Sequence, residues 1–106
     1  MSDIDILTKR LRRFAKDREW EKFHSPKNLA VSVCIEAGEL LENFQWKDTQ
    51  DRDIAPEIAD VFIYLLVLAD TMGIDLIAAT RAKIDSNAIR YPIEKCKGSC
   101  KKAEEL

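Results

Sequence analysis

Two apolar helical stripes in this chain each carry a carboxylate where a hydrocarbon side chain belongs. Leu29, Val33, Leu40 and Phe44 recur at helical spacing, and Glu36 sits among them between Val33 and Leu40. Further along, Glu57 leads the stripe Val61, Tyr64 and Leu68. A helix that turns such a face inward takes its acid with it, so the fold must supply a partner or a cation. Nearby partners are lacking. Of 17 Lys and Arg, none falls between Asn28 and Trp46 or between Asp53 and Thr80. Glu36, Glu39, Glu42, Asp53, Glu57, Asp60, Asp70 and Asp75 all do.

The acids are spaced for a shared site. Glu36-Ala37-Gly38-Glu39 and Glu57-Ile58-Ala59-Asp60 each place two carboxylates at i and i+3, on one helix face. If the two helices pack antiparallel, as a connection of about 4–8 residues favours, the four carboxylates converge. Gly38 costs a helix about 1 kcal/mol and is expected to serve the close approach of a helix or ligand. A single E-x-x-E is common on charged helices; two of them, both leaning inward and both without basic neighbours, point to a metal site. Glu42, roughly 120° around from Glu36, is either solvated or supports the ligands.

The donor set selects the ion. The one histidine, His24, precedes the second helix, so paired E-x-x-H iron ligation is excluded. Cys96 and Cys100 have no companion ligands for zinc. Oxygen-only ligation indicates Mg²⁺, with Mn²⁺ as a substitute, and such ions keep waters and bind substrate phosphates.

The pattern predicts an all-α, four-helix bundle-like subunit. The first helix runs from about Asp3 to Arg18, with Ile4, Leu7, Leu11 and Phe14 on one face and Lys9, Arg10, Arg12, Arg13 and Lys16 on the other. That basic face either touches a polyanion or is simply solvated. Trp20 to Asn28 reads as a loop. Ser25 then caps a second helix, with Pro26 in its first turn, that runs to about Trp46. The third starts near Asp51 or Asp53, tolerates Pro56 in its first turn and ends around Met72 with Gly73 behind it. Asp75 caps the fourth, which runs to about Arg90 and stops before Pro92. Residues 1–92 form one domain, and the polar tail 93–106 is expected to be mobile.

Composition narrows the class. The chain is 46% hydrophobic and 34% charged with a net charge of −2, which argues against a general nucleic-acid binder. No apolar run approaches the roughly 20 residues that cross a bilayer, and the N-terminus lacks the pattern of a signal peptide. Three cysteines, with Cys34 in an apolar run, fit a reducing cytoplasm better than a disulfide framework.

At these residues the chain resembles the all-alpha nucleoside triphosphate pyrophosphohydrolases of the MazG-like superfamily, especially the small dCTP pyrophosphatase branch. That family's mark is E-x-x-E, a spacer, then E-x-x-D, here Glu36/Glu39 and Glu57/Asp60. The likeness extends to R-E-W-E-K-F-H-S-P-K-N-L (18–29), E-A-G-E-L-L-E-N-F-Q-W-K (36–47), E-I-A-D-V-F-I-Y-L (57–65) and K-I-D-S-N-A-I-R-Y-P (83–92). It covers most of residues 18–92 and leaves the tail without a counterpart.

The resemblance implies a helical homodimer or homotetramer and Mg²⁺-dependent hydrolysis of a nucleoside triphosphate to monophosphate and pyrophosphate. It implies house-cleaning of noncanonical or surplus dNTPs, with dCTP-like pyrimidines favoured. It also implies that Glu36, Glu39, Glu57 and Asp60 are metal ligands, and that Trp20, His24, Trp46 and Tyr64 contact base and sugar. Any carboxylate not fully occupied by metal can orient the attacking water, and Glu39 is the first choice. Lys83 and Arg90, seven apart on one face of the fourth helix, either neutralise phosphate charge or are ordinary surface charges. Asn87, one turn beyond Lys83, can bond a phosphate or sugar oxygen. By helical rise Trp46 stands about 15 Å from Glu36, so a partner subunit can be its route into the site. The plainer alternative for both tryptophans is core or interface packing.

Two other classes compete with a cytoplasmic enzyme that binds neither membrane nor nucleic acid stably. One is a noncatalytic helical module that binds a nucleotide or metal. The other is a helical dimerisation domain whose acids are solvated.

Overall fold

The computed structural model describes residues 1–49 and 52–106. Among them every regular element is helical: α1 (Asp3–Asp17), α2 (Pro26–Glu42), α3 (Ala55–Thr71), α4 (Leu76–Arg90) and α5 (Ile93–Cys96), with 3₁₀ turns at Glu21–Phe23 and Ala103–Glu105. The chain divides into two compact units, Met1–Ile74 and Asp75–Leu106. No single helix among the described residues is long and apolar enough to cross a membrane.

The first unit is α1, α2 and α3, with α2 packed along α3 and α1 against α3 more sparsely. Its buried core is small, comprising Ala15, Leu29, Leu66 and Ala69. The α1 stripe does not close onto its neighbours: Leu7 and Phe14 stay partly exposed. Beside buried Ala15, a forked ion pair joins α1 to α3, in which Arg12 Nε donates to Asp70 Oδ2 at 2.8 Å and Nη2 to Oδ1. Arg12, expected on a face that either touches a polyanion or is solvated, instead pairs with α3.

Helix ends follow local chemistry. Ser25 Oγ accepts from the Asn28 amide at 3.1 Å and Pro26 opens α2, as expected. Both α1 and α3 end in paired backbone bonds around a left-handed residue. After α3, Gly73 takes φ +67, with Ile74 N donating to Ala69 O and Gly73 N to Asp70 O. After α1 the same motif uses Glu19 at φ +55, with Trp20 N donating to Ala15 O and Glu19 N to Lys16 O.

The α2–α3 connection departs from expectation. Helix α2 stops at Glu42, not Trp46, because the side chain of Asn43 takes over its last carbonyls. Asn43 Nδ2 donates to Glu39 O at 3.1 Å and Leu40 O at 3.2 Å. Tight turns follow, and Trp46 sits at φ +68, outside any helix. Helix α3 begins at Ala55, one residue before Pro56, with Asp53 Oδ1 accepting from the Ala55 amide at 3.0 Å. The alternative start, Asp51, lies outside the described residues. The connection is thus residues 43–54, longer than expected. The Cβ that an alanine would add at Gly38 meets nothing within 4 Å, so among the described residues of the first unit no helix makes the close approach expected there.

In the second unit Asp75 Oδ1 accepts from the Ala78 amide at 3.0 Å, so Asp75 caps α4 as expected. After Pro92 come α5 and the 3₁₀ turn at Ala103–Glu105, and Glu104 lies 3.9 Å from Arg90.

Candidate functional site

Glu36 on α2 and Asp60 on α3 both line one cavity of about 600 Å³ in the first unit. Leu7, Leu11 and Phe14 of α1 form its apolar wall, and Trp20, His24 and Tyr64 complete it. The incomplete seating of α1 on α3 is what leaves this space open. Trp20, His24 and Tyr64 also line an adjoining cavity of about 360 Å³ with Asn28 and Ser32. The resemblance drew Trp20, His24, Tyr64, Glu36 and Asp60 from separate segments, and the fold brings them together.

Local structure sets the aromatic groups. The left-handed turn at Glu19 swings Trp20 back to meet Phe14 edge-on, with ring centroids 5.7 Å apart. The Arg18 guanidinium covers the Phe14 ring at 3.6 Å. Asn28 Nδ2 donates to Phe23 O at 3.0 Å and fixes the turn that carries His24. Trp46 is apart from this group, 95% exposed in the α2–α3 connection. Its reach from Glu36 is therefore set by a turn and not by the rise of a helix.

The carboxylates repel one another. The Glu36 carboxyl is pushed above the ordinary range, first by burial, then by Glu39 beside it and by Asp60 across on α3. Glu39 and Asp60 are exposed and Glu36 is half-buried. Glu57 differs, because Arg52 Nη2 donates to its Oε1 at 2.7 Å. Two carboxylates of the basic-free stretches thus have partners the sequence did not show: Glu57 through Arg52, one residue outside the stretch, and Asp70 through Arg12 on α1. The same Arg52 donates through Nε to Asn43 Oδ1 at 2.9 Å, tying the end of α2 to the start of α3.

The donor set fits a hard cation in one specific respect. Glu57 Oε2 is buried and has no hydrogen-bond partner, a costly state that a cation relieves. The gathering is incomplete: among the described residues no three acidic, histidine or cysteine side chains stand together as a ready-made ion site. Glu36 and Glu39 are close enough to share a proton, while the Arg52 guanidinium occupies one oxygen of Glu57. All three cysteines are free.

Lys83, Asn87 and Arg90 lie on α4 in the second unit. Lys83 and Arg90 are exposed and Asn87 is half-buried. Sequence reasoning missed Leu7, Leu11 and Phe14 as cavity wall, and Arg10, from the face expected to touch a polyanion or be solvated, lines the cavity while staying exposed. The signal was available in the spacing, because Arg10 stands three residues after Leu7 and four before Phe14.

Comparison with known proteins matches residues 31–106 to the MazG-like family. That match takes in the segment after Pro92. The chain is 41% identical over 104 residues to dCTP pyrophosphatase 1 of Mus musculus and 38% to that of Homo sapiens. Each alignment takes in 88% of this chain and 61% of the relative, so the chain spans about three-fifths of those proteins. A solved structure of a pyrophosphatase from Archaeoglobus fulgidus superposes with a TM-score of 0.79 at 42% identity, covering 87% of this chain and 94% of that one.

Proposed function

This chain belongs to the MazG-like family, and from that premise we propose that it hydrolyses a deoxynucleoside triphosphate to the monophosphate and pyrophosphate. The observation that carries the reading is the shared wall of Glu36 and Asp60 in a cavity flanked by Trp20, His24 and Tyr64. Acidic groups and a flat apolar slot in one cavity suit a molecule with a phosphate chain at one end and a base at the other. The dCTP pyrophosphatases among its relatives support a pyrimidine such as dCTP as substrate.

Glu36, Glu39, Glu57 and Asp60 would hold the ion. A bound Mg²⁺, or Mn²⁺ in its place, supplies the positive charge that lets an acidic site accept a triphosphate. Glu39, exposed beside Glu36, orients the attacking water and takes its proton as the new bond to the α-phosphorus forms. The bond from that phosphorus to the bridging oxygen breaks, and pyrophosphate leaves. Trp20, His24 and Tyr64 hold base and sugar, and Trp46 closes on the base from its exposed turn. The assignment of Lys83, Asn87 and Arg90 to phosphate and sugar rests on the family pattern alone. Exposed Val31, Ile35 and Leu41 on α2 support a homodimer or homotetramer, and a cytoplasmic setting fits the free thiols.

The test is product identity. Incubated with dCTP and Mg²⁺, the protein should release dCMP and pyrophosphate in equal amounts, with none in EDTA. The alternative is a noncatalytic helical nucleotide- or metal-binding module. That reading predicts nucleotide binding without product.

A further inference from the structure

We infer that Arg52 is a displaceable counter-ion, occupying Glu57 in the cation-free protein and released when a divalent cation binds. The inference rests on the reading of Glu57 as a ligand. Arg52 holds Glu57 Oε1 at 2.7 Å and Asn43 Oδ1 at 2.9 Å with two nitrogens of one planar fork. The Glu57 side chain is 16% exposed, while that of Arg52 is 69% exposed. The carboxylate is thus largely enclosed, while the guanidinium lies mostly in water. The other Glu57 oxygen, Oε2, is buried with no partner, so the ion pair leaves Glu57 only half satisfied. A divalent cation answers both oxygens, and the guanidinium answers one.

The arrangement has a structural consequence. Asn43 is buried at the end of α2 and spends its amide nitrogen on Glu39 O and Leu40 O, so only its Oδ1 reaches across the connection. Arg52 is the link between that oxygen and α3. Release of Arg52 from Glu57 therefore undoes a tie between Asn43 at the end of α2 and Glu57 of α3. Arg52 is a positioning residue in this scheme, acting through Glu57.

The test measures Mn²⁺ binding by calorimetry without nucleotide, which isolates the ion from turnover. Wild type is compared with Arg52→Gln, Arg52→Lys and Glu57→Gln, and a thermal melt in EDTA establishes that each is folded. Removal of a competing, mostly exposed ion pair should tighten Mn²⁺ binding about two- to fivefold in Arg52→Gln. Arg52→Lys keeps the charge but loses the fork, and should also bind more tightly than wild type. Equal or weaker binding in Arg52→Gln overturns the inference. So does a gain in Arg52→Gln with Arg52→Lys unchanged, since net charge alone then accounts for it. Glu57→Gln binding Mn²⁺ as wild type does, or no binding by wild type, overturns both the inference and the reading of Glu57 as a ligand.

Discussion

Glu57 accepts a hydrogen bond from Arg52 at 2.7 Å through one carboxylate oxygen while the other is buried without a partner. A half-satisfied buried carboxylate is a liability in the cation-free protein and an asset once a cation arrives. Mg²⁺ should therefore raise the melting temperature, because a ligand of the native state stabilises it by about 2.7 kcal/mol at one hundred times its Kd. Glu57→Gln should lose most of that rise while melting near wild type in EDTA. Scanning fluorimetry with and without Mg²⁺ reads both, and an equal rise in the variant would remove Glu57 from the ligand set.

The crowded acids give a pH signature. Glu36 titrates above the usual carboxylate value because of burial, Glu39 and Asp60. Its folded form thus takes up a proton more readily than the unfolded chain. Stability from this group is greatest below the ordinary value of 4.5 and declines as pH rises through the folded value. Glu36→Gln should raise the melting temperature of cation-free protein near neutral pH, with the gain fading in acid. Melts in EDTA across this range decide it; a constant offset would mean that repulsion at Glu36 is not the cause.

Asp70 has the opposite sign. The Arg12 guanidinium beside it holds its carboxyl below the ordinary 3.8. The stabilisation is present above that value and lost as pH falls through the lower folded value. Asp70→Asn should lower the melting temperature at neutral pH and speed hydrogen exchange in α1 relative to α2. Unchanged exchange in α1 would show that its apolar stripe, not the fork, holds the helix.

The two tryptophans should separate by what they touch. Trp20 meets Phe14, so Trp20→Ala should cost about 0.5–1.5 kcal/mol from the ring pair alone. Trp46 is 95% exposed, and its replacement by Ala should change stability by less than about 0.5 kcal/mol. Both variants should weaken dCTP binding. A stability loss at Trp46 as large as at Trp20 would place it in an interface between subunits instead.

Much of this was legible in the sequence for local reasons. Ser25 with Pro26, Asp75 and Gly73 mark helix ends through groups within four residues, and the structure places those ends accordingly. The stripe that holds Glu36 shows in periodicity alone. Glu19 carries no such mark, because a glutamate at φ +55 looks like any other helical glutamate. The end of α2 was overestimated because Asn43 acts through a buried side chain, which periodicity does not register. Arg12 with Asp70 joins residues 58 apart, and Arg52 with Glu57 depends on how the connection folds. A count of basic residues along the chain therefore found isolation where the fold supplies a guanidinium.

The most direct test of the account is pyrophosphate release from a panel of canonical and modified dNTPs, with Mg²⁺ and with EDTA, for wild type and Glu36→Gln. The account predicts Mg²⁺-dependent release, greatest with dCTP-like pyrimidines, and a loss of at least about 100-fold in the variant. No release with any triphosphate from folded wild-type protein, or equal release by Glu36→Gln, would contradict it.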